Sequence, residues 1–424
     1  MIKGPMMFLG AIALISCLHA QEANYDETLV PEYVLPDLLT SETGSEVKTT
    51  RDWEKKRRPE VLGLFEQNVY GKVPEGDFKQ SHEILSHEPN ALNGLAERYE
   101  ISISIEKSSK VQSFDLLVYL PADAKGPVPV FMGLNFNGNH TIDTDTGIRI
   151  TQSWVRNRDF PPIKDNQAKE YARGMGASRW PLEMILERGY GLATVYYGDI
   201  DPDYDDSFQN GIHPLFYVSG QNMPEKDEWG SIAAWAWGLS RAMDYLESWN
   251  AIDPSRVIVM GHSRLGKTSL WAGASDERFA MVVSNNSGCG GAALSRREFG
   301  ETVGRINTRF PHWFCKNFHK YNTRVSDLPV DQHMLIALMA PRPVYIASAE
   351  EDRWADPRGE YLSGYHAAAV YNLYKPILLE LGSPAIDSPV NDTMIGYHIR
   401  SGGHNVTKFD WQQYLDFADK NLRE

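Results

Sequence analysis

The sequence predicts an α/β protein whose mainly parallel central sheet is covered by helices on both faces, a three-layer sandwich. Three observations carry this. Short, mainly apolar runs (VPVFMGL at 128–134, GLATVYY at 191–197, VIVM at 257–260) have the length and hydrophobicity of strands buried on both faces. Longer amphipathic stretches, such as 230–249, separate them, and short buried strands alternating with helices define the layered α/β class. Finally, Val257–Met260 runs through Gly261 and His262 to Ser263, and Leu265–Ala274 then reads as a helix. Strand, sharp turn with serine at its tip, and helix form the nucleophile elbow of the α/β-hydrolase fold. The usual second glycine position holds Leu265, and Gly266 follows one place later.

In chain order, Met1–Ala20 stands apart. Lys3 and the apolar Met6–Ser16 have the make-up of an export signal and are too short to span a membrane. Leu14-Ile15-Ser16-Cys17 has the pattern of a lipoprotein signal, which would leave Cys17 as a lipid-anchored N-terminus; cleavage after Ala20 is the rival. Either route places the mature protein outside the cytoplasm: secreted, periplasmic, or an outer-membrane lipoprotein of a bacterium. Residues 21–50 are polar and aperiodic and are expected to be a tether or a draped arm. Residues 51–424 are expected to form a single catalytic domain. A net charge of −14 makes nucleic acid an unsuitable partner. Cys289 and Cys315 permit one disulfide or two buried thiols.

Within that domain, 53–70 reads as a helix, with Leu62, Phe65 and Val69 on one face. The segments 98–105 and 114–120 alternate and form an antiparallel pair leading into the sheet. After the strand at 128–134 comes Asn135-Phe136-Asn137-Gly138-Asn139-His140. This is either part of an oxyanion hole or a plain turn. Residues 141–178 are polar and interrupt the α/β rhythm, as an inserted functional lid or wall, or a disordered segment, would. Asp199, Asp201, Asp203, Asp205 and Asp206 lack the spacing of a calcium loop and are expected to be solvated. No metal site or cofactor is expected anywhere in the chain.

A serine hydroxyl needs a base, and the base needs an orienting acid. Gly402-Gly403-His404 follows a short strand near the C-terminus, which makes His404 the expected base for Ser263; His398, inside that strand, reads as structural. The acid is expected just past the strand Val344–Ser348. Asp352 is the first choice there, with Asp356 and Glu351 as rivals. Taken alone, Arg264 and Lys267 fit ordinary surface cations equally well.

Several ordered motifs then converge. Gly261-His262-Ser263-Arg264-Leu265-Gly266-Lys267, Ser287-Gly288-Cys289-Gly290-Gly291-Ala292, Arg305-Ile306-Asn307 with Phe310-Pro311-His312-Trp313-Phe314, and Gly402-Gly403-His404 resemble carbohydrate esterase family 15, the glucuronoyl esterases. Arg57-Arg58-Pro59-Glu60 and Asn68-Val69-Tyr70-Gly71 extend the resemblance over nearly the whole mature chain. It implies a metal-free serine esterase that cleaves the ester between 4-O-methyl-glucuronic acid side chains of xylan and lignin alcohols. The substrate would be glucuronoxylan or a lignin–carbohydrate ester; separately, the protein is expected to be a monomer. It further implies Ser263 as nucleophile, His404 as base, Arg264 as oxyanion stabiliser, and Lys267, Glu301 and Trp354 as uronate-binding residues. Fungal members carry a glutamate where this chain has Asn286, so the acid duty falls to Asp352, as in bacterial members. The alternatives are an esterase on other acylated sugars or aryl esters, or a non-catalytic glycan-binding lipoprotein of the same fold.

Overall fold

Residues 22–159 and 163–422 are described here, from a computed structural model; the candidate export signal with Cys17 lies outside them. One nine-stranded sheet forms the centre, in the order β1-β2-β3-β5-β4-β6-β7-β8-β9. Its strands are β1 (Lys79–Asn90), β2 (Ala96–Lys107), β3 (Lys110–Pro121), β4 (Val128–Asn135), β5 (Gly191–Tyr196), β6 (Ile252–His262), β7 (Met281–Asn285), β8 (Val344–Ala349) and β9 (Ile395–Arg400). From β5 to β9 neighbouring strands are parallel, and β1, β2 and β3 pair antiparallel at the other end.

The apolar runs are buried on both faces, as a parallel sheet with helices on each side requires. In β6, Val257 and Val259 enter one core with the helix Ser231–Ser248, while Ile258 and Met260 enter a second core with the helix Lys408–Leu422. The expected antiparallel pair is β2 and β3. β1 has no counterpart in the sequence reading. It is a polar, mostly exposed edge strand (KQSHEILSHEPN), so it shows no apolar run.

The chain is helical over 50–70, with π-type turns at Trp53–Arg57 and Glu66–Tyr70. Residues 22–49 are draped over the domain: Leu38 and Val47 enter the core. Arg57 donates to the carbonyls of Asp37 (2.8 Å) and Leu38 (3.3 Å). Farther up, the carbonyl of Asn24 accepts from Gly300 N at 2.8 Å. Segment 141–178 is held by isolated bridges (Trp154 with Gln167, Arg158 with Ile163) and by short 3-10 turns. Cys289 and Cys315 are both buried and unbonded, and burial raises each thiol, Cys315 to about 11. Among the described residues no helix is long and apolar enough to cross a membrane.

Candidate active site

The site gathers at the C-terminal ends of the parallel strands, where open α/β sheets leave a crevice. β6 ends at His262, and Ser263 turns the chain into the helix Arg264–Ser275 with φ 59° and ψ −128°. A side chain at this positive φ is strained, and the strain lifts Ser263 clear of the sheet. Gly261 is needed for the turn, since a Cβ there would lie 1.9 Å from the Leu265 carbonyl oxygen. The displaced glycine has a similar reason: a Cβ on Gly266 would meet the Ser287 Cβ at 3.0 Å and the Gly261 oxygen at 3.1 Å. Gly261 and Gly266 therefore share the close approach of strand and helix.

The loop after β9 brings His404 to the elbow. Its ring stands 4.4 Å from that of His262, the neighbour of Ser263. Arg400 holds the loop, donating to the carbonyls that flank His404, Gly403 O at 2.9 Å and Asn405 O at 2.6 Å. Buried Asp410 anchors Arg400 in turn and also takes His398 Nε2 at 3.0 Å, which gives His398 its structural place. His262 is buried and held neutral, by burial first and by the nearby His404 and Arg179 next. Its Nδ1 lies 2.6 Å from Asn285 Oδ1, whose amide nitrogen donates to Asp410 and Tyr414.

Of the three candidate acids, Asp352 reaches the imidazole: its Oδ2 lies 2.5 Å from His404 Nδ1. The same oxygen accepts from Asn286 Nδ2 at 2.8 Å, so the amide that replaces a carboxylate holds the carboxylate that remains. Asp356 is buried against Arg297 (2.8 Å) and caps the helix Pro357–Tyr371 through Gly359 N; Glu351 is exposed. Behind Asn286, the fully buried Glu360 accepts from Ser287 N (2.7 Å), Gly288 N (3.0 Å) and Ser348 Oγ (2.6 Å). Burial pushes its carboxyl up to about 8.

The solvated reading of the acidic run needs correction. Asp199, Asp201 and Asp203 are buried, Asp206 is half-buried, and only Asp205 is exposed. Asp201 pairs with His213 at 3.1 Å. Asp203 receives Tyr197 Oη (2.9 Å), His312 Nε2 (2.9 Å) and Trp313 Nε1 (2.7 Å), with Arg156 at 3.2 Å and an ion pair to Arg264. Burial opposes its ionisation, but the Arg264 guanidinium and His312 override that and hold the carboxyl well below the usual range. No cluster of three or more metal-ligating groups occurs among the described residues. The signal that could have found Asp203 is Pro311-His312-Trp313: two polar rings in an apolar motif need a buried partner.

Arg264 and Lys267 are not surface cations. Arg264 lies over the rings of Phe136, Phe310 and Trp313, at 5.5, 5.8 and 5.0 Å from their centroids. Lys267 is buried and donates to Ser287 O at 2.5 Å and to Glu301 Oε2 at 3.0 Å. Glu301 N donates to Trp354 O at 2.9 Å, so Lys267, Glu301 and Trp354 form one wall. The N-terminal arm abuts its back, with Tyr25 edge-on to Phe299 at 6.1 Å and under Arg353. Asn135-Phe136 closes the opposite side through Phe136.

A doubly covered, mainly parallel sheet with a serine elbow at its C-terminal edge defines an α/β-hydrolase. Comparison with known proteins carries this further. A family model described as "Glucuronyl esterase, fungi" matches residues 190–374. Carbohydrate esterase MZ0003, from an unknown prokaryotic organism, is 53% identical over 399 residues, 94% of this chain and 92% of that protein. The solved glucuronoyl esterase from Solibacter usitatus is 47% identical with TM-score 0.87, covering 93% of this chain and all of that one. The 4-O-methyl-glucuronoyl methylesterase of Neurospora crassa is 28% identical over 79% of this chain and 71% of its own length. The chain belongs to carbohydrate esterase family 15, the glucuronoyl esterases, and is a carboxylic ester hydrolase.

Proposed function

We propose that this esterase hydrolyses esters of glucuronic acid, in particular those joining 4-O-methyl-glucuronic acid side chains of xylan to lignin alcohols, through an acyl-enzyme on Ser263. The carrying observation is the 2.5 Å contact between Asp352 and His404 Nδ1 beside the serine elbow. With Nδ1–H donated to Asp352, Nε2 of His404 is the free acceptor for the Ser263 hydroxyl proton. The tautomer is then fixed as a base requires.

Ser263 Oγ attacks the ester carbonyl as its proton passes to His404 Nε2. The oxyanion that forms faces the Arg264 guanidinium and the Arg264 backbone N–H, which as the first residue of its helix has no partner within the helix. The tetrahedral intermediate then expels the alcohol, which takes the proton from His404, and leaves an acyl-serine. Water gives its proton to His404 and attacks the acyl carbon, and the proton returns to Ser263 as the uronate carboxylate departs. Lys267, Glu301 and Trp354 bind the uronate ring, the buried Lys267–Glu301 pair setting a fixed polar wall and Trp354 an aromatic one. The protein acts outside the cytoplasm as a monomer, exported by the N-terminal signal and anchored through Cys17 where that residue is lipidated.

Turnover of benzyl glucuronate, compared with an acetylated sugar, tests the reading. Faster hydrolysis of the uronate ester, absent in Ser263→Ala, is the expected result. A faster acetyl ester would overturn the substrate assignment.

A further inference from the structure

Two arginines from different parts of the chain share Asp203. Arg264 comes from the elbow helix and Arg156 from the 141–178 insertion. Both reach the same carboxylate oxygen, Oδ2: Arg264 through Nη1, and Arg156 through Nη2 at 3.2 Å. Arg156 Nη2 also donates to the Asp203 backbone carbonyl. These contacts place the Arg156 guanidinium beside that of Arg264.

The insertion does not need this second pairing for anchorage. Thr151 Oγ1 already donates to Asp199 Oδ1 at 2.5 Å, and Tyr196 Oη to the Trp154 carbonyl at 2.7 Å. The Trp154 ring packs on Tyr204, with centroids 4.8 Å apart. Nor does Asp203 lack donors, since Tyr197, His312 and Trp313 also give to it. What Arg156 adds is charge. With Arg264 alone, the ion pair would be neutral, and Asp203 would compete with an oxyanion for the guanidinium. With Arg156 on the same oxygen, these three groups keep one positive charge beside Ser263. Arg264 Nε is buried without a hydrogen-bond partner, so Asp203 does not use up its guanidinium.

We propose that Arg156 is a positioning residue for ester hydrolysis: it offsets Asp203 from the insertion side, so that Arg264 meets the oxyanion with its charge uncancelled. This rests on the reading of Arg264 as the oxyanion stabiliser. The ester carbonyl is uncharged until attack, so such a charge favours the transition state over the bound substrate. Acylation and deacylation both pass through an oxyanion, and kcat registers the loss whichever step limits.

Steady-state kinetics on benzyl glucuronate, with melting curves on the same full-length proteins, test this. Arg156→Gln should lower kcat about tenfold and leave KM nearly unchanged. The Arg156 side chain is 39% exposed, so the melting temperature should stay near that of the wild type. Arg156→Lys, which keeps the charge, should recover most of the rate. In an Asp203→Asn background Arg156 loses its mooring, and Arg156→Gln should then have little further effect on kcat. Wild-type kcat in Arg156→Gln, a rise in KM instead, or an undiminished loss in the Asp203→Asn background would each overturn the proposal. So would kcat and melting temperature falling together in the glutamine and lysine variants alike, the mark of a mere brace. Arg264→Gln, assayed alongside, separates the two claims. Unchanged kcat there would refute the oxyanion role itself, whereas a fall there with none in Arg156→Gln would refute the role of Arg156 alone.

Discussion

Two buried carboxylates flank the elbow and do different work. Asp352 holds an imidazole that is 42% exposed at its side chain, whereas Asp203 holds a guanidinium from beneath and is itself 1% exposed. In the proposed mechanism Asp352 has a partner that gains and loses a proton in each cycle, and Asn286 supplies a second donor that does not depend on that proton. Asp203 has partners whose arrangement is fixed throughout: a guanidinium, a phenol, an imidazole and an indole. On that mechanism one carboxylate serves proton traffic and the other serves shape. Losses at the first should therefore appear in turnover, and losses at the second in both turnover and stability.

The largest effect expected is from Asp352→Asn. An amide at 352 disturbs the His404 tautomer, and kcat should fall by about 10³–10⁴. The melting temperature should stay near that of the wild type. Near-normal turnover in this variant would remove the proton-traffic role. Asp203→Asn comes next. It leaves the Arg264 charge buried without its counter-ion, which costs about 3–5 kcal/mol, and it frees the guanidinium to leave the oxyanion. Chemical denaturation and kcat, measured on the same preparation, should both decline. If kcat alone fell, the contrast between the two carboxylates would collapse.

Arg264→Gln should lower kcat by about 10²–10³ with little change in KM, the mark of a contact made mainly in the transition state. Trp354→Ala should do the reverse, raising KM several-fold with kcat nearly unchanged. A matching fall in kcat would move Trp354 from ring binding into the chemistry.

The smallest effect concerns pH. Burial raises the Glu360 carboxyl from its ordinary 4.5 to about 8. A raised folded-state value means the stabilising contribution is fully present below pH 4.5 and is lost as pH rises through about 8. Thermal melting across that window should show a decline in the wild type that is shallower in Glu360→Gln. Equal slopes would mean that another group governs this range.

The sequence revealed the halves of the site unevenly. Ser263 and His404 were legible because each follows a buried strand and occupies a turn with a glycine signature. Asp352 was legible only to within three acidic neighbours. Choosing among them depends on which side chain faces the loop after β9, a matter of strand order in space. Asp203 was hidden for a different reason. Five aspartates in eight residues look solvated unless burial is known, and burial here comes from residues 312 and 313, more than a hundred positions away. The Lys267–Glu301 pair was concealed in the same way, since neither residue lies in an apolar run. β1 went unseen because an exposed edge strand has no hydrophobic alternation to show.

Ser263 is held at φ 59°, a conformation that costs a non-glycine residue roughly 1–3 kcal/mol. Glycine at this position would relieve that strain and remove the proposed nucleophile in the same step. A library screened for thermal endurance alone would then be drawn toward inactive molecules at residue 263. Selection for heat tolerance in this esterase has to be coupled to turnover from the first round.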